Sequence, residues 1–231
     1  MKFFKLFFLF FLFAAWGCEN TNQAGNASSH KNKKIEKKIS SPKTKTPLDV
    51  SSLRPSAPLF SLFYIFSDKA SRFNHYVPSG FMPDGKCVYL NDFWTENCQS
   101  GNSCIKIIYD VECSNQNEKW AGIYWLNPAN NWGRRKGGFN LSGASKLTFW
   151  AKGERGGEQI QEFTVGGISG DFPDSDMIVI GPVILTPEWK QYTIDLRGKD
   201  LSYISGGFAW TTNIEVNPHS CIFYLDEIKF E

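Results

Sequence analysis

Short runs of β-branched and aromatic residues recur from Leu59 to the end of the chain, separated by clusters of Gly, Pro, Asn and Asp. Helical periodicity is hard to find here, and short apolar runs between turn residues are typical of antiparallel strands. Ten such runs in about 170 residues predict an all-β fold, a two-sheet antiparallel β-sandwich or jelly roll. The predicted strands are 62–66, 87–90, 105–110, 121–125, 146–152, 162–165, 178–180, 190–195, 205–210 and 221–230.

Side chains of a strand point alternately to its two faces, which predicts the buried side of some strands. In the run 146–152, Leu147, Phe149 and Ala151 share one face, which is expected to face the core. Trp150 is therefore expected on the opposite, open face. In the run 189–196, Trp189 and the alternating apolar residues that follow it are expected in the core.

Residues 1–18 have the pattern of a secretory signal. Lys2 and Lys5 precede an apolar stretch that ends at Ala15-Trp16-Gly17-Cys18. This end resembles a bacterial lipobox, in which the cysteine is acylated with diacylglycerol and becomes the mature N-terminus. The alternatives are an ordinary signal peptide with an incidental Cys18, or an uncleaved anchor. All three place the rest of the chain outside the cytoplasm. The lipobox interpretation predicts a protein of the cell envelope that is anchored to a membrane by lipid and faces the periplasm or the cell exterior.

Residues 19–58 are predicted to be a disordered basic linker. They contain almost no large apolar residue, so they cannot bury enough surface to offset the entropy of folding. They carry 8 Lys/Arg and 3 Asp/Glu, whereas residues 59–231 carry 15 Lys/Arg and 20 Asp/Glu, a net charge of −5. The acidic balance of the predicted sandwich domain, 59–231, argues against nucleic-acid binding.

The six cysteines suit an oxidising compartment. With Cys18 acylated, five remain to be assigned. Cys98 and Cys104 flank a polar, glycine-containing turn, so a disulfide that closes this loop is the simplest pairing. The other predicted assignments are a disulfide between Cys87 and Cys113 and a buried thiol at Cys221.

Three segments together resemble the galactose-binding-like jelly rolls that include many carbohydrate-binding modules. They are residues 141–153 (LSGASKLTFWAKG), 185–196 (LTPEWKQYTIDL) and 223–228 (FYLDEI). The resemblance covers nearly all of residues 59–231. It implies the sandwich fold, and it implies a structural calcium held at Asp68 and Asp226. It does not imply one function, since the same sandwich also serves as an accessory domain.

Residues 120–135 concentrate the chemistry that binds sugars, because aromatic faces stack on pyranose rings while amides and guanidinium groups bond hydroxyls. The alternative is that these tryptophans fill the core and the asparagines bond their own turn. Trp150 and Trp210 are also expected on an open face of a sheet. For Trp210 the alternative is burial in the core, because it has the same parity in its strand as Phe208. The predicted ligand-binding residues are Trp120, Tyr124, Trp125, Asn127, Asn130, Asn131, Trp132, Arg134, Trp150 and Trp210.

No catalytic or metal motif is found in the sequence. His-Glu-x-x-His, Cys-x-x-Cys, Gly-x-Ser-x-Gly and glycine-rich phosphate loops are all missing. The enzymatic alternative is a jelly-roll glycosidase, with Glu158 and Glu162 as the carboxylates to test. Asp226 and Glu227 are adjacent and are expected to point to opposite faces. The acidic residues of 171–176 are expected to form a solvated loop.

These observations predict a lipid-anchored, non-catalytic surface protein that binds an oligo- or polysaccharide. The rival prediction is a structural or adhesion domain that binds protein.

Overall fold

The computed structural model describes residues 60–113 and 119–231. Within these ranges the chain forms thirteen strands and no α-helix. The strands are β1 (Phe63–Phe66), β2 (Val77–Met82), β3 (Val88–Trp94), β4 (Cys104–Tyr109), β5 (Trp120–Leu126), β6 (Lys146–Gly153), β7 (Gln159–Ile160), β8 (Glu162–Gly166), β9 (Met177–Ile180), β10 (Val183–Ile184), β11 (Lys190–Asp195), β12 (Gly206–Asn213) and β13 (Cys221–Phe230).

Most strands belong to two antiparallel sheets. The first sheet has the order β11-β6-β13-β4-β3, and β1 pairs with the C-terminal end of β13. The second sheet has the order β2-β5-β12-β8-β9, and β7 and β10 form a separate pair. The predicted all-β, two-sheet sandwich is confirmed, and the arrangement is consistent with a jelly roll.

Aromatic side chains join the two sheets in a common core. The Phe149 ring of the first sheet lies 4.6 Å from the Phe163 ring and 5.1 Å from the Phe208 ring of the second sheet. The Trp210 ring packs edge-on at 4.9 Å against the Phe223 ring. All five rings are fully buried, so they fix the spacing and the facing sides of the two sheets.

All ten predicted strands occur, with small shifts of their ends. Three observed strands, β2, β7 and β10, were not predicted. β2 carries Pro78 and Gly80, two residues that weaken strand patterns, and it lies at the edge of the second sheet, where a missing N–H is tolerated. β7 and β10 have only two residues each, too few for alternation to be recognised.

The cysteine assignments are confirmed. Disulfides join Cys98 to Cys104 and Cys87 to Cys113. Cys221 is a buried free thiol, and burial raises its pKa to about 12, so it is an unreactive core residue.

The predicted signal peptide, the acylated Cys18 and the linker lie outside the described residues and stay predictions. In the described part of the chain, no helix has the length and hydropathy of a membrane span.

Candidate functional site

The register of the first sheet aligns three side chains on its outer face. Tyr224 in β13 pairs with Lys106 of β4 on one side and with Lys152 of β6 on the other. Its neighbours Phe223 and Leu225 are fully buried in the core, so Tyr224 points away from the core. It is nevertheless only 4% exposed, because other side chains cover it from the solvent side.

Two tryptophans provide that cover. The rings of Trp94 and Trp189 lie 6.1 and 6.5 Å from the Tyr224 ring. The Lys106 ammonium lies 4.0 Å from the Trp94 ring centre and 5.5 Å from that of Tyr224. The Lys152 ammonium lies 4.7 Å from the Tyr224 ring centre and 5.5 Å from that of Trp189. All four distances are within the range of cation–π attraction.

Trp150 lies on the same side of the first sheet. It pairs with Gln191 of β11 and with Asp226 of β13, one row of side chains away from Tyr224, and it is half-buried. The prediction that Trp150 points away from the core is confirmed. We call this surface the Tyr224 face, which consists of Trp94, Lys106, Trp150, Lys152, Trp189 and Tyr224.

The disulfide loop, residues 95–104, holds both flanking indoles. The Trp94 Nε1 donates a hydrogen bond of 2.9 Å to the carbonyl of Glu96, and the Trp189 Nε1 donates one of 2.7 Å to the carbonyl of Asn97. The Cys98–Cys104 disulfide closes the loop directly beyond these carbonyls. Trp189 was expected in the core, and this prediction is wrong: its ring is half-buried on the outer face and tied to the loop.

Asp226 anchors the start of the disulfide loop. Its Oδ2 accepts hydrogen bonds of 3.0 Å from the main-chain N–H groups of Gln99 and Ser100, and its Oδ1 accepts one of 2.8 Å from Glu227. Its side chain is fully buried, and this burial raises the pKa to about 6 despite the three donors.

A β-bulge explains the position of Glu227. The register of β13 shifts after Asp226, and Glu227 has a positive φ of 48°. The Ser100 hydroxyl donates to Glu227 Oε1, and the Ser100 N–H donates to Asp226. The expectation that the two carboxylates point to opposite faces is therefore wrong, because the bulge breaks the alternation on which it depended.

The Tyr224 hydroxyl points to acidic residues at the edge of the face. It donates a hydrogen bond of 2.6 Å to Glu154 Oε2. Burial, this hydrogen bond and the charges of Glu154 and Glu96 all raise the pKa of Tyr224. The phenol is therefore a neutral donor at physiological pH, and Glu154 and Glu96 are carboxylate acceptors at the margin of the face.

Two of the predicted ligand-binding tryptophans belong to the core. Trp125 and Trp210 are fully buried, and their rings contact Phe208 and Phe223. Neither ring can stack on an external sugar, so these two predictions are wrong. Both point inward because they share the parity of the apolar residues in β5 and β12.

Two of the predicted asparagines shape their own loop. Asn127 donates to the carbonyl of His75 and accepts from Gly138 N–H. Asn131 is buried, accepts from the N–H groups of residues 134 and 135, and donates to the carbonyl of Arg135. Their amides are occupied by main-chain groups, which is the turn-forming role that the sequence analysis left open.

The remaining predicted residues lie on or near the outer face of the second sheet. The rings of Tyr124 and Trp132 meet edge-to-face at 5.8 Å. Gly80 makes room for them, since a Cβ there would lie 2.8 Å from Tyr124 Cβ and 3.0 Å from the Trp132 ring. Trp132 is 36% exposed. The side chains of Trp120, Asn130 and Arg134 are also exposed. Trp150 lies on the outer face of the other sheet, so the predicted residues do not form one site.

Asp68, the other predicted calcium ligand, anchors the end of the disulfide loop. Its Oδ1 accepts from the N–H groups of Asn102 and Ser103 at 2.8 and 2.7 Å. In the described ranges, no group of three or more His, Cys, Asp or Glu residues is arranged to hold a metal ion. The calcium site stays a prediction, and main-chain donors now compete for the oxygens that it would use.

The acidic loop of residues 171–176 is not simply solvated. Asp174 accepts hydrogen bonds from the N–H groups of Ile168 and Gly206 and from both the N–H and the hydroxyl of Ser205. Asp174 thus ties the loop to the start of β12. Asp171 is exposed, as expected.

The two carboxylates of the glycosidase alternative are placed differently. Glu158 Oε1 accepts from the N–H of Arg155 within its own loop. Glu162 begins β8, is exposed, and pairs with Thr211 on the second sheet. Neither residue belongs to the Tyr224 face.

A cleft of about 470 Å³ lies on another side of the disulfide loop. Phe93, which is 66% exposed, and Lys69 form part of its wall, and the Lys69 ammonium lies 4.8 Å from the Phe93 ring centre. Lys69 is paired with Asp92 at 2.5 Å. The cleft is therefore a concave surface beside the same loop, and the charge of its lysine is already neutralised.

Sequence reasoning missed Trp94, Trp189, Tyr224 and the two lysines as site residues. Alternation did contain a signal for Tyr224, since it lies between the core residues Phe223 and Leu225. The missing information was strand pairing, because only the order β6-β13-β4 brings Lys152, Tyr224 and Lys106 together.

No protein-family model matches the chain, and no curated protein matches it. Several solved structures that are similar to this chain are carbohydrate-binding modules. The match with one family 30 module covers 74% of this chain and 98% of the module, with a TM-score of 0.49 and 16% identity. The family 30 module of a cellulosomal cellulase of Clostridium thermocellum covers 74% and 97%, with a TM-score of 0.45 and 17% identity.

A family 11 carbohydrate-binding module from Clostridium thermocellum, in complex with a β-1,3-1,4-mixed-linked tetrasaccharide, is also similar. The match covers 62% of this chain and 81% of the module, with a TM-score of 0.42 and 16% identity. At such identities and TM-scores the likeness says nothing about a shared ligand.

Proposed function

We propose that the protein is a non-catalytic carbohydrate-binding protein of the cell surface, and that its glycan binds on the Tyr224 face. The observation that carries this proposal is the set of three half-buried tryptophans and two lysines around Tyr224 on one outer sheet face. Aromatic rings cover the apolar faces of sugar rings, and fixed charged groups bond the hydroxyls between them.

Rigidity favours a binding role for this face. The indole N–H groups of Trp94 and Trp189 are both bonded to carbonyls of the disulfide loop, so the rings are oriented before any ligand arrives. A ligand then pays little entropy for ordering them. Lys106, Lys152 and Glu154 supply donors and acceptors close to the rings, which is the polar complement that a hydroxyl-rich ligand needs.

The anchoring proposal rests on the sequence of the N-terminus. The apolar stretch before Cys18 and the polar linker that follows it suit a lipid-tethered domain held away from a membrane. A surface tether and a glycan-binding face together describe a protein that attaches a cell envelope to an envelope or environmental polysaccharide.

A protein-binding role is the second candidate, and the edge of the second sheet favours it. β9 is an edge strand, and its Met177 and Val179 side chains are 52% and 41% exposed on one face. Edge strands with exposed apolar residues can pair with a strand of another protein. Loss of binding to a protein ligand in Val179→Lys, with glycan binding retained, would identify this role.

Glycan-array binding of the full-length chain in detergent tests the main proposal. We expect saturable binding by the wild type, and loss of at least about tenfold in affinity for Trp94→Ala and Trp189→Ala, since one stacked ring contributes about 1–3 kcal/mol. Trp132→Ala is the control, because Trp132 is an accessible indole that packs against Tyr124 of the other sheet, away from the Tyr224 face. Circular dichroism checks that each variant is folded.

Loss of binding in Trp132→Ala with full binding in Trp94→Ala would move the site to the second sheet. No binding of any glycan by the folded wild type would refute the carbohydrate proposal and leave the protein-binding candidate.

A further inference from the structure

The charge of the Tyr224 face differs from that of the rest of the domain. Residues 59–231 carry a net charge of −5, yet two ammonium groups lie at the centre of this face. In the described ranges the ion pairs of the structure include neither Lys106 nor Lys152. These two lysines instead rest on aromatic rings.

Two other lysines on the same sheet are neutralised by carboxylates. Lys146 pairs with Glu231 at 2.8 Å, and Lys229 pairs with Glu227 at 3.4 Å. Lys106 and Lys152 have no ion-pair partner of this kind among the described residues. In a domain with more carboxylates than cations, two ammonium groups left without an ion-pair partner are available to an external anion.

The aromatic rings fix where these charges stand. The Lys106 ammonium is held between Trp94 and Tyr224, and the Lys152 ammonium between Trp189 and Tyr224. Cation–π contacts orient a lysine without neutralising it, because a ring quadrupole carries no net charge. The half-buried setting also weakens competition by water and salt, which strengthens a contact with an anionic ligand.

Two acidic residues lie close to the Tyr224 hydroxyl at this face. Glu154 accepts the Tyr224 hydroxyl, and Glu96 lies close enough for its charge to raise the pKa of Tyr224. Neither forms an ion pair with Lys106 or Lys152. They define an acceptor margin for hydroxyls, and they leave the two ammonium groups as the donors at the centre.

We infer that the Tyr224 face selects acidic glycans, in which a carboxylate or sulfate group of the sugar contacts Lys106 and Lys152 while the sugar ring packs against the tryptophans. This inference rests on the proposed function and adds the class of sugar to it. It identifies Lys106 and Lys152 as the residues that determine specificity.

Matched pairs of oligosaccharides test the inference. Oligogalacturonate and oligomannuronate are each compared with the same oligosaccharide after its carboxylates are reduced to alcohols, and a sulfated galactan is compared with its desulfated form. Calorimetry with the full-length chain measures the affinities. We expect at least one acidic member to bind at least about tenfold more tightly than its neutral partner, which corresponds to about 1.4 kcal/mol.

Variants connect that preference to the two lysines. Lys106→Gln and Lys152→Gln keep much of the side-chain length and remove the charge, so each should lower affinity for the acidic glycan about tenfold and change affinity for the neutral partner less than about threefold. Lys229→Gln is the matched control on the same sheet, since its charge is already paired with Glu227. The preference should also weaken between about 0.05 and 0.5 M salt.

The results separate this inference from the proposed function. Equal affinity for the members of every pair, or tighter binding of the neutral members, would overturn the selection of acidic glycans while leaving carbohydrate binding in place. Binding only of other, neutral glycans on the array would have the same meaning. No binding of any glycan would overturn both.

Discussion

Asp68 and Asp226 hold consecutive parts of the disulfide loop, residues 95–104. Asp68 accepts hydrogen bonds from the main-chain N–H groups of residues 102–103, and Asp226 accepts them from those of residues 99–100. The same loop contains the Cys98–Cys104 disulfide, and its carbonyls at residues 96 and 97 orient two tryptophans of the Tyr224 face. Two carboxylates far apart in the sequence thus act on one wall of the candidate site.

Removing the Asp68 carboxylate should destabilise the disulfide loop. Asp68→Ala leaves two main-chain N–H groups and the Ser103 hydroxyl without their acceptor. We expect a loss of about 2 kcal/mol in the free energy of unfolding, as is typical for hydrogen bonds to a charged acceptor. Urea denaturation measures it. Asp171→Ala is the control, because Asp171 is exposed. Equal stability of the two variants would contradict the anchoring role.

Calcium removal should leave the fold unchanged. The Asp68 and Asp226 oxygens described above accept main-chain N–H groups, whereas calcium needs an oxygen-rich shell. We expect the unfolding temperature to be the same within about 1 °C in excess EDTA and in excess calcium, where a bound ion would raise it by mass action. A calcium-dependent increase that disappears in Asp68→Asn would instead establish the predicted metal site.

Asp226 should make stability depend on pH in the mildly acidic range. Its pKa rises from 3.8 to about 6 on folding, mainly through burial. The folded state therefore binds this proton more tightly, and the resulting stabilisation is complete below about pH 3.8 and is lost as the pH rises through about 6. Asp226→Asn removes the titration. The free energy of unfolding of this variant, relative to that of the wild type, should thus increase as the pH rises from about 3.8 to about 6 and stay constant at higher pH.

Denaturation of both proteins across this pH range measures the difference. Glu227→Gln is a useful companion, because the Glu227 charge contributes to the raised pKa of Asp226. Glu227→Gln should lower the pKa of Asp226 in the folded state, so the pH range in which stability changes should end at a lower pH. If the stability of Asp226→Asn relative to the wild type instead fell with rising pH, the pKa of Asp226 could not be raised in the folded state.

Periodicity within the sequence was sufficient for the fold class and for most strands. In β6 and β13, one face is core and the other is open, so alternation alone places Leu147 and Phe223 inside and Trp150 outside. It fails at the bulge after Asp226, where an extra residue reverses the parity, and at β2, where Pro78 and Gly80 hide an edge strand.

The site was harder to predict because composition in one segment is a poor guide to position. Residues 120–135 are rich in Trp and Asn, yet Trp125 is core and Asn131 bonds its own turn. The Tyr224 face draws its members from five different parts of the chain, and only the pairing order of the first sheet brings them together. Information of that kind is absent from local patterns.

Removing the disulfide that closes the loop should affect binding more than stability. In the double variant Cys98→Ser/Cys104→Ser, the chain between residues 98 and 104 regains freedom, and so short a loop predicts a loss of only about 2 kcal/mol in the free energy of unfolding. The carbonyls of Glu96 and Asn97 then no longer hold the two indoles in one orientation. Because ordering them again on binding costs free energy, we expect at least about a tenfold loss in glycan affinity from a folded protein.

The second disulfide supplies the control for this effect. Cys87→Ser/Cys113→Ser opens a longer loop, with a sequence separation of 26, so it should cost more stability than the first double variant. This disulfide lies at the opposite end of the β3–β4 strand pair from the loop that carries the Glu96 and Asn97 carbonyls, so glycan affinity should stay within about twofold of the wild type. The two variants should therefore rank in opposite orders for stability and for binding. The same rank order in both measurements would mean that the Cys98–Cys104 loop stabilises the fold without orienting the face, because affinity would then follow general stability.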